Sequence, residues 1–267
     1  MGEFRFRKFS VVNERSAMKV NTDGVLLGAL MTVSGSDRYV LDLGTGTGTV
    51  ALMAAQRHSE IADREALIDD CHIMAIDIDQ PSAEEAAANF RRSPWSSFLE
   101  AGNISLAGFA VLPFFKGRSL IRTSEELSNG CIEVVPEYFD HIFSNPPYFE
   151  SELKSPDLRR REARHCESMS YREIVRFASD RLSESGRLSL ILPAEVEVEL
   201  CRYARMCGLF PYRIVRIRTV AAKPPRRIVA EFSRKRVYDP FVELLVMQEK
   251  GRYTDEYISL TSEYYLF

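Results

Sequence analysis

The 267-residue chain carries 35 Lys+Arg against 38 Asp+Glu, a net charge of −3, with 45% hydrophobic and 27% charged residues. This composition supports a buried core and excludes a largely disordered chain, and the length fits one large α/β domain or two small ones. No apolar run reaches the ~18 residues of a membrane span, and the N-terminal MGEFRFRKFS lacks a signal-type apolar stretch, so no membrane association is expected.

From residue 38 onward, short apolar runs alternate with helical stretches. Tyr39–Leu43 reads as a buried strand and Thr49–Arg57 as the following helix. His72–Ile76 is a second strand and Ser82–Arg92 a second helix, with Asp79 or Ser82 able to cap it. The stretch Leu106–Glu137 has weak periodicity and reads as an elaborated connection. Asp140–Ser144 is a strand, Tyr171–Leu182 a helix and Arg187–Leu192 a further strand. Such alternation predicts a doubly wound, mostly parallel sheet. Arg213–Val220, Arg226–Phe232 and Phe241–Met247 are β-type runs, the first two separated by the turn-forming Lys223-Pro224-Pro225, and predict an antiparallel C-terminal edge. About 37 residues precede this core, too few for a separate domain, so residues 1–37 read as an N-terminal extension of a single unit completed by 38–267.

Between the first strand and helix lies Asp42-Leu43-Gly44-Thr45-Gly46-Thr47-Gly48. Glycines are required where the backbone turns sharply and approaches a ligand, and a following helix N-terminus offers unpaired N–H groups. The spacing is G-x-G-x-G, unlike the G-x-G-x-x-G of dinucleotide sites, and resembles the first motif of class I S-adenosyl-L-methionine methyltransferases. The second strand ends at Asp77, whose carboxylate suits a pair of ribose hydroxyls; Asp79, two residues on, suits a helix cap. Asn103 falls where this class usually has an aspartate against the adenine, a contact an amide can also make.

The most specific signal is Ser144-Asn145-Pro146-Pro147-Tyr148 after a later strand. It resembles the (D/N/S)-P-P-(Y/F) motif of enzymes that methylate planar nitrogens: adenine N6, cytosine N4, glutamine N5 or guanine N2. The amine on such a group is a poor nucleophile because its lone pair is delocalised. The Asn145 side-chain oxygen and the Pro146 carbonyl can accept its N–H groups, drawing density to the nitrogen without a strong base. The prolines stiffen the loop and remove competing donors, and Tyr148 offers a π-face to a base turned out of its stack.

Three further segments resemble the bacterial tRNA1(Val) adenine-N6 methyltransferase family, which modifies the adenosine just 3′ of the anticodon. Met18-Lys-Val-Asn-Thr-Asp-Gly-Val-Leu-Leu-Gly28 is similar to its N-terminal hallmark, with Asn21 in place of the usual glycine; Leu52–Arg57 and Asn89–Trp95 match two more segments, and Ala163-Arg164-His165 follows the proline motif. The resemblance covers nearly the whole chain. It implies a Rossmann-like α/β fold with a seven-stranded, mostly parallel sheet and helices on both faces. It further implies S-adenosyl-L-methionine as cofactor, held by Lys19, Thr22, Asp23, Asp42, Gly44, Gly46, Gly48, Asp77, Asn103 and Asn145. The Lys19–Gly24 segment would close over it.

Alternatives separate by layout. Release-factor glutamine methylases share N-P-P-Y but carry a helical domain ahead of the glycine loop. DNA adenine methylases usually carry a target-recognition insert, and rRNA guanine-N2 enzymes often a second degenerate domain. An NAD-dependent oxidoreductase leaves N-P-P-Y unexplained, and a non-catalytic tRNA-binding protein leaves both motifs idle. A tRNA substrate demands phosphate contacts. The net charge hides candidates: from Pro211 to Arg236 nine basic residues face one acid, so that window is +8 and the rest of a −3 chain is −11. RNA contacts are expected from Arg159, Arg160, Arg161 and Arg164, just after the proline motif, and from Lys223, Arg226 and Arg227. Arg5, Arg7 and Lys8 form a third basic group, while His141 and His165 read as structural or RNA-facing. Five cysteines without C-x-x-C spacing imply reduced thiols, a cytoplasmic setting and no metal site.

Overall fold

The computed structural model describes residues 2–65, 71–116, 132–147 and 169–265, without the side chains of 62–65. Strands β1 (Glu3–Arg5) and β2 (Ser10–Val12) form a small antiparallel hairpin, followed by helix α1 (Thr22–Leu30). Then come β3 (Tyr39–Leu43), α2 (Thr49–Glu65), β4 (His72–Asp77), α3 (Gln80–Arg92), β5 (Leu99–Asn103) and the short α4 (Leu106–Ala110). A two-residue parallel pair, β6 (Phe114–Phe115) with β7 (Val135–Pro136), precedes β8 (Phe139–Ser144). The remainder is α5 (Tyr171–Arg181), β9 (Leu182–Pro193), α6 (Glu197–Met206), β10 (Phe210–Val220), β11 (Arg227–Ser233), β12 (Phe241–Glu249), β13 (Arg252–Tyr253) and α7 (Asp255–Thr261).

One large sheet runs β13-β12-β10-β11-β9-β8-β3-β4-β5. The five strands from β9 to β5 are parallel, and β11 is antiparallel to both β9 and β10. The sheet thus has nine strands rather than the expected seven. The third C-terminal run, β12, pairs parallel to β10 (Arg213 opposite Phe241), so the edge is mixed and not wholly antiparallel. The cause lies in the connection after β11: residues 234–240 are long enough to cross the end of β10 and lay β12 on its far side, where β13 pairs at Gln248–Tyr253.

Alternate residues of the central strands feed two cores, one on each face. Val40, Ile73 and Ala75 pack with α1, α2, α3 and α7, whereas Leu41, Leu43, Met74 and Ile76 pack with α4, α5 and α6. Phe6, Phe9 and Val11 of the N-terminal hairpin lie in the first core. Asp79 caps α3, accepting from the Ser82 amide at 3.0 Å and its hydroxyl at 2.6 Å. Among the described residues no helix is long and apolar enough to cross a membrane.

Polar groups, not only apolar ones, register α1 against the sheet. Glu231, fully buried on β11, accepts from the Thr32 amide (2.7 Å), the Thr32 hydroxyl (2.8 Å), Ser189 Oγ (2.9 Å) and Arg213 Nη1 (3.0 Å). Arg187 pairs with buried Asp37 and donates through Nε to the Thr32 carbonyl at 2.8 Å. Arg57 Nη1 donates to the Gly28 and Met31 carbonyls (2.9 and 2.6 Å), satisfying the C-terminal end of α1. His141, between β3 and β9 in the same region, shares a 2.9 Å bond with Ser189; burial, then the nearby Arg187 charge, holds its pKa well below the usual value, so it is neutral. His141 is therefore structural.

Candidate active site

Three strand ends converge where the order of connection reverses across β3, the place at which open α/β sheets bind ligands. The loop after β3 is anchored by the Gly44 and Thr45 amides, which donate to the Ile76 carbonyl at 2.9 and 3.0 Å. Gly44, Gly46 and Gly48 take φ of 73°, 56° and 80°, a region open to glycine at little cost. At Gly48 there is a second requirement, because a Cβ would sit 2.5 Å from Phe90 Cε1 of α3.

Two carboxylates support this loop. Asp42 is buried on β3 and accepts from Thr45 Oγ1 at 2.7 Å; burial raises its pKa to about 7 despite that bond, with Asp77 adding to the rise. Asp77 accepts from the Gly46 amide at 2.8 Å through one oxygen and from the Asp79 amide at 2.9 Å through the other. Burial raises its pKa as well, against those two bonds. Asp77 lines the adjoining cavity, and a carboxylate has about four acceptor sites in all.

That cavity has a volume of about 390 Å³, within the usual range of small-molecule clefts. Gly44 and Gly46 line it. So do the apolar Ile76, Ile78, Ile104 and Leu106, suited to a flat ring, and Met18, Met169, Glu173, Asn145 and Pro147. A narrow extension of about 30 Å³ continues past Asp42, Thr45, Thr47 and Thr49 to Lys19, Asn21 and Gly24 at the start of α1.

Asn145 stands at the junction of the two spaces. The Ser144 hydroxyl stitches β8 to the Leu43 carbonyl at 2.6 Å and so fixes the loop beside the glycines. Asn145 is only 8% exposed; its amide lies 3.8 Å from the Met18 sulfur, and its side-chain oxygen is buried without a partner among the described residues. A buried acceptor left unmet costs about 1–3 kcal/mol, which marks it as awaiting a donor. Pro146 is buried beside it and Pro147 exposed.

The other sequence-derived residues divide. Lys19 reaches the extension, its ammonium on the Glu14 carbonyl at 2.8 Å. Thr22 and Asp23, in the first turn of α1, line neither space. Asp23 accepts from Arg227 Nε at 2.8 Å, so a residue expected at the cofactor and one expected at RNA bind each other. Asn103 donates to the Asp77 and Ile78 carbonyls (3.0 and 2.9 Å), bracing the carboxylate's backbone from outside the cavity. Lys223 and Arg226 are exposed on the β10–β11 turn. Tyr148, Arg159, Arg160, Arg161, Arg164 and His165 lie outside the described residues. Sequence reasoning missed the apolar lining and the capping role of Asn21, whose oxygen accepts from the Gly24 amide at 2.8 Å. An isoleucine between two aspartates, Ile78, was the available signal; it is 57% exposed.

No protein-family profile matches the chain. Curated proteins do. The chain is 37% identical over 263 residues to the tRNA1(Val) (adenine(37)-N6)-methyltransferase of Bacteroides fragilis, covering 98% of this chain and 97% of that one. The chain belongs to the tRNA1(Val) (adenine(37)-N6)-methyltransferase family. Members so named in Flavobacterium johnsoniae and Mannheimia succiniciproducens are 35% and 33% identical, covering 98% of this chain and 99% and 94% of theirs. Among solved structures, one described as a predicted O-methyltransferase of Agrobacterium tumefaciens superposes with a TM-score of 0.55 at 18% identity, over 91% of this chain and 96% of that one. That likeness shows the class I methyltransferase fold. Within the family so identified, the glycine loop, Asp77 and Asn145 of this chain meet at one cavity.

Proposed function

We propose that the protein methylates the exocyclic N6 of an adenine in tRNA, adenosine 37 of tRNA1(Val), using S-adenosyl-L-methionine. The single observation that carries this reading is the side-chain oxygen of Asn145, buried without a partner among the described residues where two spaces lined by Gly44 and Gly46 meet. Family membership supplies the substrate class.

The residues present fit the cofactor. Gly44 and Gly46 line the space without a Cβ to fill it, while Gly48 lets the loop pack on Phe90; Asp77 and Asp42 stand beside it, and the apolar Ile76, Ile78, Ile104 and Leu106 suit an adenine ring. Asp77 would take the ribose hydroxyls and Asp42, with the Thr45–Thr49 hydroxyls, the cationic amino-acid end. Bound there, S-adenosyl-L-methionine supplies an electrophilic methyl group on sulfur. Asn145 Oδ1 and the Pro146 carbonyl accept the two N–H groups of the target amine, orient its lone pair and raise its electron density. Methyl transfer to that nitrogen would release one amine proton to solvent; the acceptors act by alignment and polarisation, which needs no strong base. We further assign residues 1–37 as an extension over the cofactor, with 38–267 as the catalytic core, and the cytoplasm as the compartment. Tyr148 is assigned to stacking on the target base, and Lys223, Arg226 and the 159–164 arginines to the tRNA backbone.

The test is nucleoside mass spectrometry of unmodified tRNA treated with enzyme and labelled S-adenosylmethionine. Labelled N6-methyladenosine is the expected product. Labelled guanosine, or label only in a release factor, would replace this reading with another planar-amine methyltransferase.

A further inference from the structure

Outside the cavity, a groove of about 530 Å³ runs along the sheet between the start of α6 and the outer strand β12. Its end lies at the β10–β11 turn. Because β10 runs parallel to β9 and β8, that turn sits on the same rim of the sheet as Asn145.

The groove's charges are unequal in their commitments. Arg216 is bound by Glu197 through two bonds (2.9 and 2.6 Å), and Glu243 is held by Arg213. Both acids in the lining are thereby neutralised. Arg218 differs: it touches only the Ala221 carbonyl through Nη1 at 3.0 Å, and its Nε is buried without a partner among the described residues. One wall extends this pattern. Val198 lines the groove, and Arg202 and Arg205 follow it at i+4 and i+7, on the same helix face. Both arginines are exposed and, among the described residues, make no ion pair. Between these cations lie exposed apolar side chains, Val198 at 82%, Val242 at 44% and Leu244 at 46%.

We propose that this groove is an RNA-binding surface, in which Arg218, Arg202 and Arg205 contact phosphates and the Val198–Val242–Leu244 floor seats an unstacked nucleotide. The inference rests on the tRNA reading above and says where the substrate leaves the catalytic rim. Charge selects the occupant. Three guanidiniums without carboxylate partners among the described residues, one in the groove and two on the helix that walls it, complement a phosphodiester chain that reaches the groove along the rim carrying Asn145. Exposed apolar groups between them suit a base or ribose face. The sequence counted Arg218 in the basic Pro211–Arg236 window but gave no reason to join it to Arg202 and Arg205, because the three lie on two elements and meet only in the fold.

The experiment compares wild type with Arg202→Gln, Arg205→Gln and Arg218→Gln, singly and combined, as full-length proteins. It reads affinity for unmodified tRNA against salt, affinity for S-adenosylmethionine, melting temperature and sedimentation. Each single variant is expected to lower the salt slope by roughly 0.7–1 and the triple variant to lose about tenfold or more in tRNA affinity. Cofactor affinity and melting temperature stay unchanged. Val242→Asp, which adds a charge to the floor without removing a cation, is expected to weaken tRNA binding with the salt slope retained. Unchanged tRNA affinity and slope in the triple variant overturn the groove while leaving the methylation reading intact. A shift in sedimentation instead of RNA affinity overturns it in favour of a second copy of the chain. A wild type that binds no tRNA overturns both readings.

Discussion

If Asp42 holds the cationic end of the cofactor as proposed, its ionisation is expected to set a measurable pH dependence on binding. Its carboxyl is fully enclosed by β3 and the glycine loop, and burial lifts its pKa from 3.8 to about 7, with only the Thr45 hydroxyl and a backbone amide opposing the rise. A cationic ligand end requires the ionised form. With a pKa of about 7 the ionised fraction is roughly one-tenth at pH 6 and nine-tenths at pH 8, and apparent affinity scales with that fraction. The sign follows directly: raising the pH through 7 deprotonates Asp42 and strengthens binding, by about tenfold between pH 6 and 8. Asp77, whose pKa is also raised by burial, moves the affinity in the same direction. Titration calorimetry with S-adenosylmethionine at pH 6, 7 and 8 measures this, with Asp42→Asn as the comparison. The variant is expected to bind weakly and with a much flatter profile. A wild-type affinity constant across the window, or an equal tenfold rise in Asp42→Asn, refutes the reasoning.

Asn145→Ala removes an acceptor used at the reacting amine and should lower turnover by about 10²–10³-fold with cofactor affinity retained; single-turnover methylation of tRNA beside calorimetry decides, and unchanged turnover would discard the role. Gly48→Ala combines a left-handed backbone with a Cβ 2.5 Å from Phe90, so roughly 1–2 kcal/mol of strain and 1–3 of overpacking should appear in urea denaturation. Gly208→Ala is its control: φ is 79° but no atom lies within 4 Å, and only the strain should remain. Arg227→Ala breaks the partly buried pair with Asp23 at the start of α1. It should weaken cofactor binding about fivefold, near 1 kcal/mol, and affect the tRNA salt slope little; the opposite split would return Arg227 to the RNA surface.

The central sheet was legible because parallel strands buried on both faces are continuous apolar runs, as at Tyr39–Leu43 and His72–Ile76. β5 was not. Its sequence, Leu-Glu-Ala-Gly-Asn, carries a carboxylate in mid-strand, where His72 of β4 reaches Glu100 at 3.2 Å. β11 poses the same problem with Glu231, yet the flanking Ile228–Ala230 run kept it readable. α6 was missed because its many charged residues obscure the buried stripe of Leu200, Cys201 and Ala204. At the site, motif spacing identified the residues that need special backbone or special chemistry: the glycines, Asp77 and Asn145. It could not show that Asp23 and Arg227, 204 positions apart, are partners, because that depends on β11 arriving beside α1. The assignment of Asp79 to the helix cap was readable because capping is local.

The bonds that hold α1 have a consequence for synthesis. Thr32 is tied to Glu231 across 199 residues and Asp23 to Arg227 across 204, so the wall of the cofactor pocket is fastened by the last quarter of the chain. A nascent polypeptide that has emerged only through β9 already owns its glycine loop, both carboxylates and the proline motif. It lacks β11, whose Arg227 and Glu231 add the last polar ties to those that Arg57 and Arg187 already make with α1 and Thr32. The last ties on α1 are therefore made late in translation, and a ribosome stalled before residue 227 would carry a chain with every motif and α1 held by Arg57, Arg187 and its core packing alone.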